Sequence, residues 1–111
     1  MNIFAGSVPP PGSEHAETLA EGSGVTVRRI TSLDHATPSG QWYEQAEREW
    51  VALLSGSAVV EFADGERAAL WPGEWLDIPP GRRHRIARTS ADQPTVWLAV
   101  HFPADRSSAR G

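Results

Sequence analysis

The chain has 111 residues, 40% hydrophobic and 22% charged, which is enough for one core and therefore one domain. A net charge of −4 without a long basic patch argues against a nucleic-acid partner. The absence of cysteine removes disulfides, thiolate metal sites and cysteine nucleophiles.

No window reaches the apolar length of a membrane span. The opening MNIFAGSVPPPGSEH has neither the basic start nor the apolar run of a secretion signal, so a cytoplasmic setting is expected. Residues 1–24 read as an irregular N-terminal arm, extended along the body or across a partner subunit. Pro9, Pro10 and Pro11 exclude a helix interior or central strand, and Ser13 to Glu21 has room for one or two helical turns at most.

Val25 to Thr31 is rich in β-branched residues and predicts a first strand. After a polar loop broken by Pro38, the pattern turns strand-like again from Gln41. It runs into the continuous apolar stretch Trp50-Val51-Ala52-Leu53-Leu54, which suggests burial on both faces. Ala58 to Ala63 and Arg67 to Leu70 flank Asp64-Gly65, a two-residue type I′ hairpin signal. Further strands are predicted at Trp75–Ile78, His84–Thr89 and Thr95–Phe102. Residues 25–103 form the domain and 104–111 a flexible tail. Seven or eight short strands at spacings of about ten residues, without a long helix, mean an all-β sandwich or barrel.

Between two of these strands lies GEWLDIPPGRRHRIAR, Gly73 to Arg88. Pro79 and Pro80 fix φ and offer no donor, Gly81 tolerates positive φ, and the resulting corner delivers His84 to the head of a new strand. A destination for that imidazole exists upstream. If the strand through Trp50 begins near Trp42, period-two alternation puts Tyr43, Gln45, Glu47 and Glu49 on one face, continuing into Val51 and Leu53. Polar groups at the mouth of a core must be satisfied by each other, by water or by a metal, and His84 supplies the opposite wall.

Three other features have plainer readings. His101 shares a strand face with Trp97 and Ala99; it is expected to be packed or partly exposed, the alternative being an inward ligand or acid–base group. His15 and His35 are expected at the surface. The arginines Arg82, Arg83, Arg85 and Arg88 are expected to form solvated edges and surface pairs, the alternative being a site for an anionic ligand, and the tryptophans Trp50, Trp75 and Trp97 to serve packing. The chain has no G-x-S-x-G elbow and no phosphate-cradling glycine loop.

Gly73, Pro79, Gly81 and His84 match the second cupin motif, G-x5-P-x-G-x2-H-x3-N, at every spacing, with Arg88 in place of the asparagine. Glu49 and Gly56 match the E-x6-G end of the first motif, G-x5-H-x-H-x3,4-E-x6-G, while Tyr43 and Gln45 stand where its histidines would be. The chain therefore resembles small single-domain cupins whose first motif reads W-Y-x-Q. The resemblance implies an all-β double-stranded β-helix, a jelly-roll barrel, and a homodimer. It also implies a small-molecule ligand and an interior divalent transition metal (Fe, Mn, Ni or Zn) held by His84, Glu49 and Gln45, with Tyr43 as weak ligand or proton donor. Oxygenase or isomerase chemistry is one expectation; a metal-free, hydrogen-bonded pocket that binds or senses a ligand without turnover is the other.

Overall fold

A computed structural model describes residues 1–104. The expected tail at 104–111 lies, apart from Ala104, outside the described residues. Eight strands follow one another: β1 (Ser13–Gly22), β2 (Val25–Leu33), β3 (Arg48–Ser55), β4 (Ala58–Phe62), β5 (Arg67–Leu70), β6 (Trp75–Ile78), β7 (His84–Thr89) and β8 (Thr95–Phe102). They form two sheets, ordered β1-β2-β8-β3-β6 and β5-β4-β7, and all pairings are antiparallel. This all-β arrangement is consistent with a jelly roll, and among the described residues no helix is long and apolar enough to cross a membrane.

The sheets meet across one core. Val51, Leu53, Ile78, Trp97 and Ala99 come from the larger sheet, and Ala58, Val60, Phe62 and Leu70 from the smaller. Period-two alternation is visible in β4, where Ala58, Val60 and Phe62 are buried while Val59 and Glu61 are half-buried. Trp50, on the outward face of β3, stacks with the exposed Trp75 of β6 at 6.0 Å between ring centroids.

Three local expectations are corrected. Ser13–Gly22 is neither irregular nor helical: it pairs with β2 along its length, tied by Glu17 to Arg29 at 2.7 Å and by the Ser32 hydroxyl donating to Glu14 at 3.1 Å. Cross-strand partners outweigh the weak intrinsic β-preference of its Glu and Ala residues. The Asp64-Gly65 hairpin is not type I′. Gly65 N–H donates to the Phe62 carbonyl and Phe62 N–H to that of Glu66, with positive φ at Gly65 and not at Asp64. That is a type I turn closed by a glycine bulge. Finally, β3 begins at Arg48, so residues 41–47 form a loop and Tyr43 and Gln45 do not share a strand with Glu49.

Candidate functional site

The Pro79-Pro80-Gly81 corner is what assembles the site. Arg82 N–H donates to the Pro79 carbonyl at 3.2 Å, and Gly81 takes φ of 77°, which makes a type II turn with proline second and glycine third. Gly81 N–H then donates to the Gln45 carbonyl at 2.7 Å. One step further, Tyr43 and His84 exchange both backbone hydrogen bonds, at 2.7 and 3.0 Å, as an isolated antiparallel bridge. The 41–47 loop is thus stitched to the corner and to the head of β7, and the Tyr43 and His84 rings lie 5.8 Å apart.

Glu49 sits at the centre, buried at the start of β3. Its direct cross-strand partner on β8 is His101, whose Nε2 lies 3.1 Å from Oε2. His84 faces it from the other sheet, with Nε2 3.4 Å from Oε1. Burial alone would raise the Glu49 pKa, but contacts with His101 and His84, and their charge, outweigh this and hold it at about 2. His84 Nδ1 lies 2.9 Å from the Arg82 carbonyl, which can only accept, so Nδ1 carries a proton. Nε2 faces a carboxylate, which also only accepts, so it carries one too. The geometry therefore favours the imidazolium form of His84. Burial pulls its pKa down, but Glu49 and the Arg82 carbonyl together lift it above the usual histidine value.

His101 is not simply packed: it is buried, lines the cavity and contacts the central carboxylate, while its Nδ1 has no hydrogen-bond partner among the described residues. The signal for it was the strand period, since Trp97 and Ala99 on the same face are both core residues. His35 also departs from its expected surface position. It is half-buried, with its backbone N–H bound to Thr89 and Nε2 3.5 Å from Glu14.

These groups open onto a cavity of about 220 Å³ between the sheets. Val51, Val60, Ile78, Ile86 and Trp97 give it apolar walls; Tyr43, Gln45, Glu49, His84 and His101 bring polar groups. Tyr43 is 42% exposed. Its partial burial and the charges of Glu14 and Glu49 raise its pKa against the opposing hydrogen bond with Thr37, so it stays a neutral phenol and a proton donor. Gln45 is half-buried on the lining and anchored through its backbone. Glu47 is exposed and lies outside the lining. The arginine cluster stays at the periphery. Arg82 stacks on Phe62 at 3.6 Å and pairs with Asp64 and Glu66, Arg83 pairs with Glu44, Arg85 pairs with Glu61, and Arg88 is exposed.

Residues 29–101 match the family model described as Cupin domain. The chain is a cupin. It is similar to a solved structure of a candidate mannose-6-phosphate isomerase from Ralstonia eutropha JMP134, with 42% identity over 94% of this chain and 97% of that one and a TM-score of 0.87. It is also similar to a cupin superfamily protein of Desulfitobacterium hafniense DCB-2, with 20% identity, 86% and 82% coverage and a TM-score of 0.70. A protein of Thermus thermophilus matches at 20% identity, with 90% and 91% coverage and a TM-score of 0.74. The last two likenesses concern the fold. No curated protein matches the chain.

Cupins imply an interior divalent metal. The donors are chemically suitable, since two imidazoles and a carboxylate suit a divalent transition ion. The arrangement is not: among the described residues, no group of three or more His, Cys, Asp or Glu is placed to hold a metal ion. Both oxygens of Glu49 are engaged by imidazoles.

Proposed function

We propose that this cupin binds a small organic molecule in the cavity of a closed jelly-roll barrel and isomerises it by proton transfer. The observation that carries this reading is a buried carboxylate held between two imidazoles on the wall of a ligand-sized cavity. The 42% identity to a candidate mannose-6-phosphate isomerase points the same way.

While both histidines hold it, Glu49 is too weak a base to remove a carbon-bound proton. A ligand carbonyl oxygen that accepts the His84 Nε2 proton takes away one of the contacts that keep Glu49 acidic. Basicity then rises at the moment of binding. Glu49 removes the proton from the hydroxyl-bearing carbon beside the carbonyl while His84 gives its Nε2 proton to the carbonyl oxygen, which the Tyr43 hydroxyl also stabilises, and an enediol forms. Glu49 then returns its proton to the former carbonyl carbon as the other enediol hydroxyl gives its proton to His84, which restores both groups. His101 orients the carboxylate throughout.

The test is deuterium incorporation from D₂O into an aldose–ketose phosphate panel, followed by NMR. Wild-type protein is expected to exchange the carbon-bound hydrogen of at least one member. Glu49→Gln, assayed at a temperature where its melt shows it folded, is expected to lose about 100-fold or more of that rate. Ligands that bind wild-type protein without exchange would support the non-catalytic binding or sensing reading instead.

A divalent metal held by His84, Glu49 and Gln45 is the second reading. It is favoured by the hydrogen bond from His84 Nδ1 to the Arg82 carbonyl, the kind of contact that aims the other nitrogen of a metal-ligating histidine. It requires Glu49 to give up its imidazole contacts. Oxygenase chemistry belongs to this reading. Protein purified without added metal is then expected to carry about one equivalent by elemental analysis, lost in His84→Ala. An unchanged melting temperature with Fe²⁺, Mn²⁺, Ni²⁺ or Zn²⁺, together with no co-purified metal, would rule it out.

A further inference from the structure

Charges in a cavity wall ordinarily satisfy one another. Both acids here do so: Glu49 faces His84 and His101, and Glu14 accepts from Ser32 and lies 3.5 Å from the His35 imidazole. Arg28, the one arginine on the lining among the described residues, does not. The chain has no lysine, so arginine supplies all its side-chain fixed cations. Among the described arginines, Arg29, Arg48, Arg67, Arg82, Arg83 and Arg85 each pair with a carboxylate. Arg28 and Arg88 have no carboxylate partner among the described residues, and Arg88 is exposed and off the cavity wall. A half-buried guanidinium on a cavity wall with no counter-ion is a place for one to arrive with the ligand.

Register places it usefully. Arg28 on β2 lies opposite Ala99 on β8, which lies opposite Val51 on β3, an inward-facing row. The neighbouring inward row is Thr26, His101 and Glu49. Arg28 is therefore two strands from Val51, roughly 10 Å between backbones. Ala99, the residue between them, is fully buried and has the smallest side chain that keeps a Cβ, which leaves the space open. On its other side Arg28 pairs with Thr18, where β1 carries an extra residue, Leu19, before pairing resumes at Ala20. Such bulges bend a strand and re-aim side chains beside binding sites.

We propose that Arg28 captures an oxyanion head group, carboxylate or phosphate, so that this cupin's ligand is a small organic anion. Its head sits at Arg28 and its reacting carbon reaches Glu49 and His84. The inference rests on the proton-transfer reading for what happens at the far end, but binding at Arg28 is measurable without turnover. At about 220 Å³ the cavity is below the roughly 300 Å³ at which drug-sized sites begin, which limits the ligand to a short molecule.

Calorimetric titration with glycerol, glycerate and glycerol phosphate varies the head group on one three-carbon frame, with inorganic phosphate as the bare head. One or both organic anions are expected to bind at millimolar concentration or tighter, with glycerol far weaker and the anion affinity falling as salt rises. Glycerate against glycerol phosphate tells which head the site prefers. Arg28→Gln is expected to weaken the anion by about tenfold to a hundredfold, and Arg28→Lys to recover part of that loss. Far-UV circular dichroism checks that both variants are folded. Anion binding unchanged in Arg28→Gln, or no anion bound by folded wild-type protein at millimolar concentration, would overturn the proposal. Retained anion binding in Glu49→Gln with loss of exchange supports both assignments. Retained binding at Arg28 in wild-type protein that never exchanges deuterium removes the isomerase reading and leaves the anion site standing.

Discussion

Replacing Glu49 by glutamine is expected to cost about 3 kcal/mol near pH 6, a fall in melting temperature of roughly 10 °C or more. The side chain keeps its shape but loses the charge that faces His84 from across the sandwich and His101 from the next strand. The larger consequence is in the pH profile. In wild-type protein the Glu49 pKa drops from 4.5 to about 2 on folding, so its contribution is present above pH 4.5 and is lost as pH falls toward 2. The His84 pKa rises above 6.5 on folding, so its contribution is complete below pH 6.5 and is lost as pH rises through the folded value. The pair therefore stabilises most between about pH 4.5 and 6.5. In Glu49→Gln the acid-side loss due to this residue disappears. Burial, the strongest influence on His84, is then no longer outweighed by a carboxylate. The His84 pKa falls below its unfolded value, so the variant gains stability as pH rises toward 6.5, while wild-type protein loses stability as pH rises above 6.5. Glu17 and Asp77 also have lowered pKa values, but they sit on the surface in both proteins and cancel in the difference. Urea melts of both proteins from about pH 4 to 9 give that difference directly. Parallel profiles would show that the imidazole–carboxylate pair does not govern this site.

The two ends of that pair are legible in the amino-acid sequence. His84 follows a Pro-Pro-Gly corner whose turn type is dictated by the residues themselves, and Glu49 stands one alternation ahead of the buried Val51 and Leu53. What the residues do not disclose depends on contacts distant in sequence. Tyr43 and Gln45 reach the cavity from a loop. Their placement comes from hydrogen bonds to His84 and Gly81, about forty residues downstream, rather than from any period of their own. His101 has the right period, but a face becomes an inner face only when a second sheet covers it, and that sheet comes from residues 58–89. Arg28 is hidden in the same way, within a strand whose other arginine, Arg29, points outward to Glu17. β1 has little strand character because its partners, and not its own residues, hold it extended.

The sharpest test of the architecture is Gly56→Ala, the glycine that closes the first motif beyond Glu49. Two effects act on it together. The backbone at Gly56 has φ of 82°, which costs an alanine about 1 kcal/mol. A Cβ there would also lie 2.3 Å from Thr95 Oγ1, 2.7 Å from Thr95 Cα and 2.9 Å from the Pro94 carbonyl oxygen, so backbone as well as side chain is in the way. Thr95 cannot step aside cheaply. It is fully buried, and its hydroxyl donates to the Ser57 carbonyl at 3.2 Å. Moving it displaces the start of β8, the strand that carries Trp97, Ala99 and His101 into the core and the cavity. The expected loss is about 4 kcal/mol or more, at the upper end for single substitutions, with the site disturbed as well. Gly73→Ala separates the two effects, because Gly73 has φ of 94° but nothing within 4 Å of its would-be Cβ. It should lose only the conformational part, about 1 kcal/mol. Chemical denaturation of both variants measures the gap. A gap near zero would mean that the close approach of β3 and β8 at Gly56 is not what fixes a glycine there. A gap of about 3 kcal/mol would mean that the motif glycine exists to let the strand bearing His101 lie directly against the strand bearing Glu49.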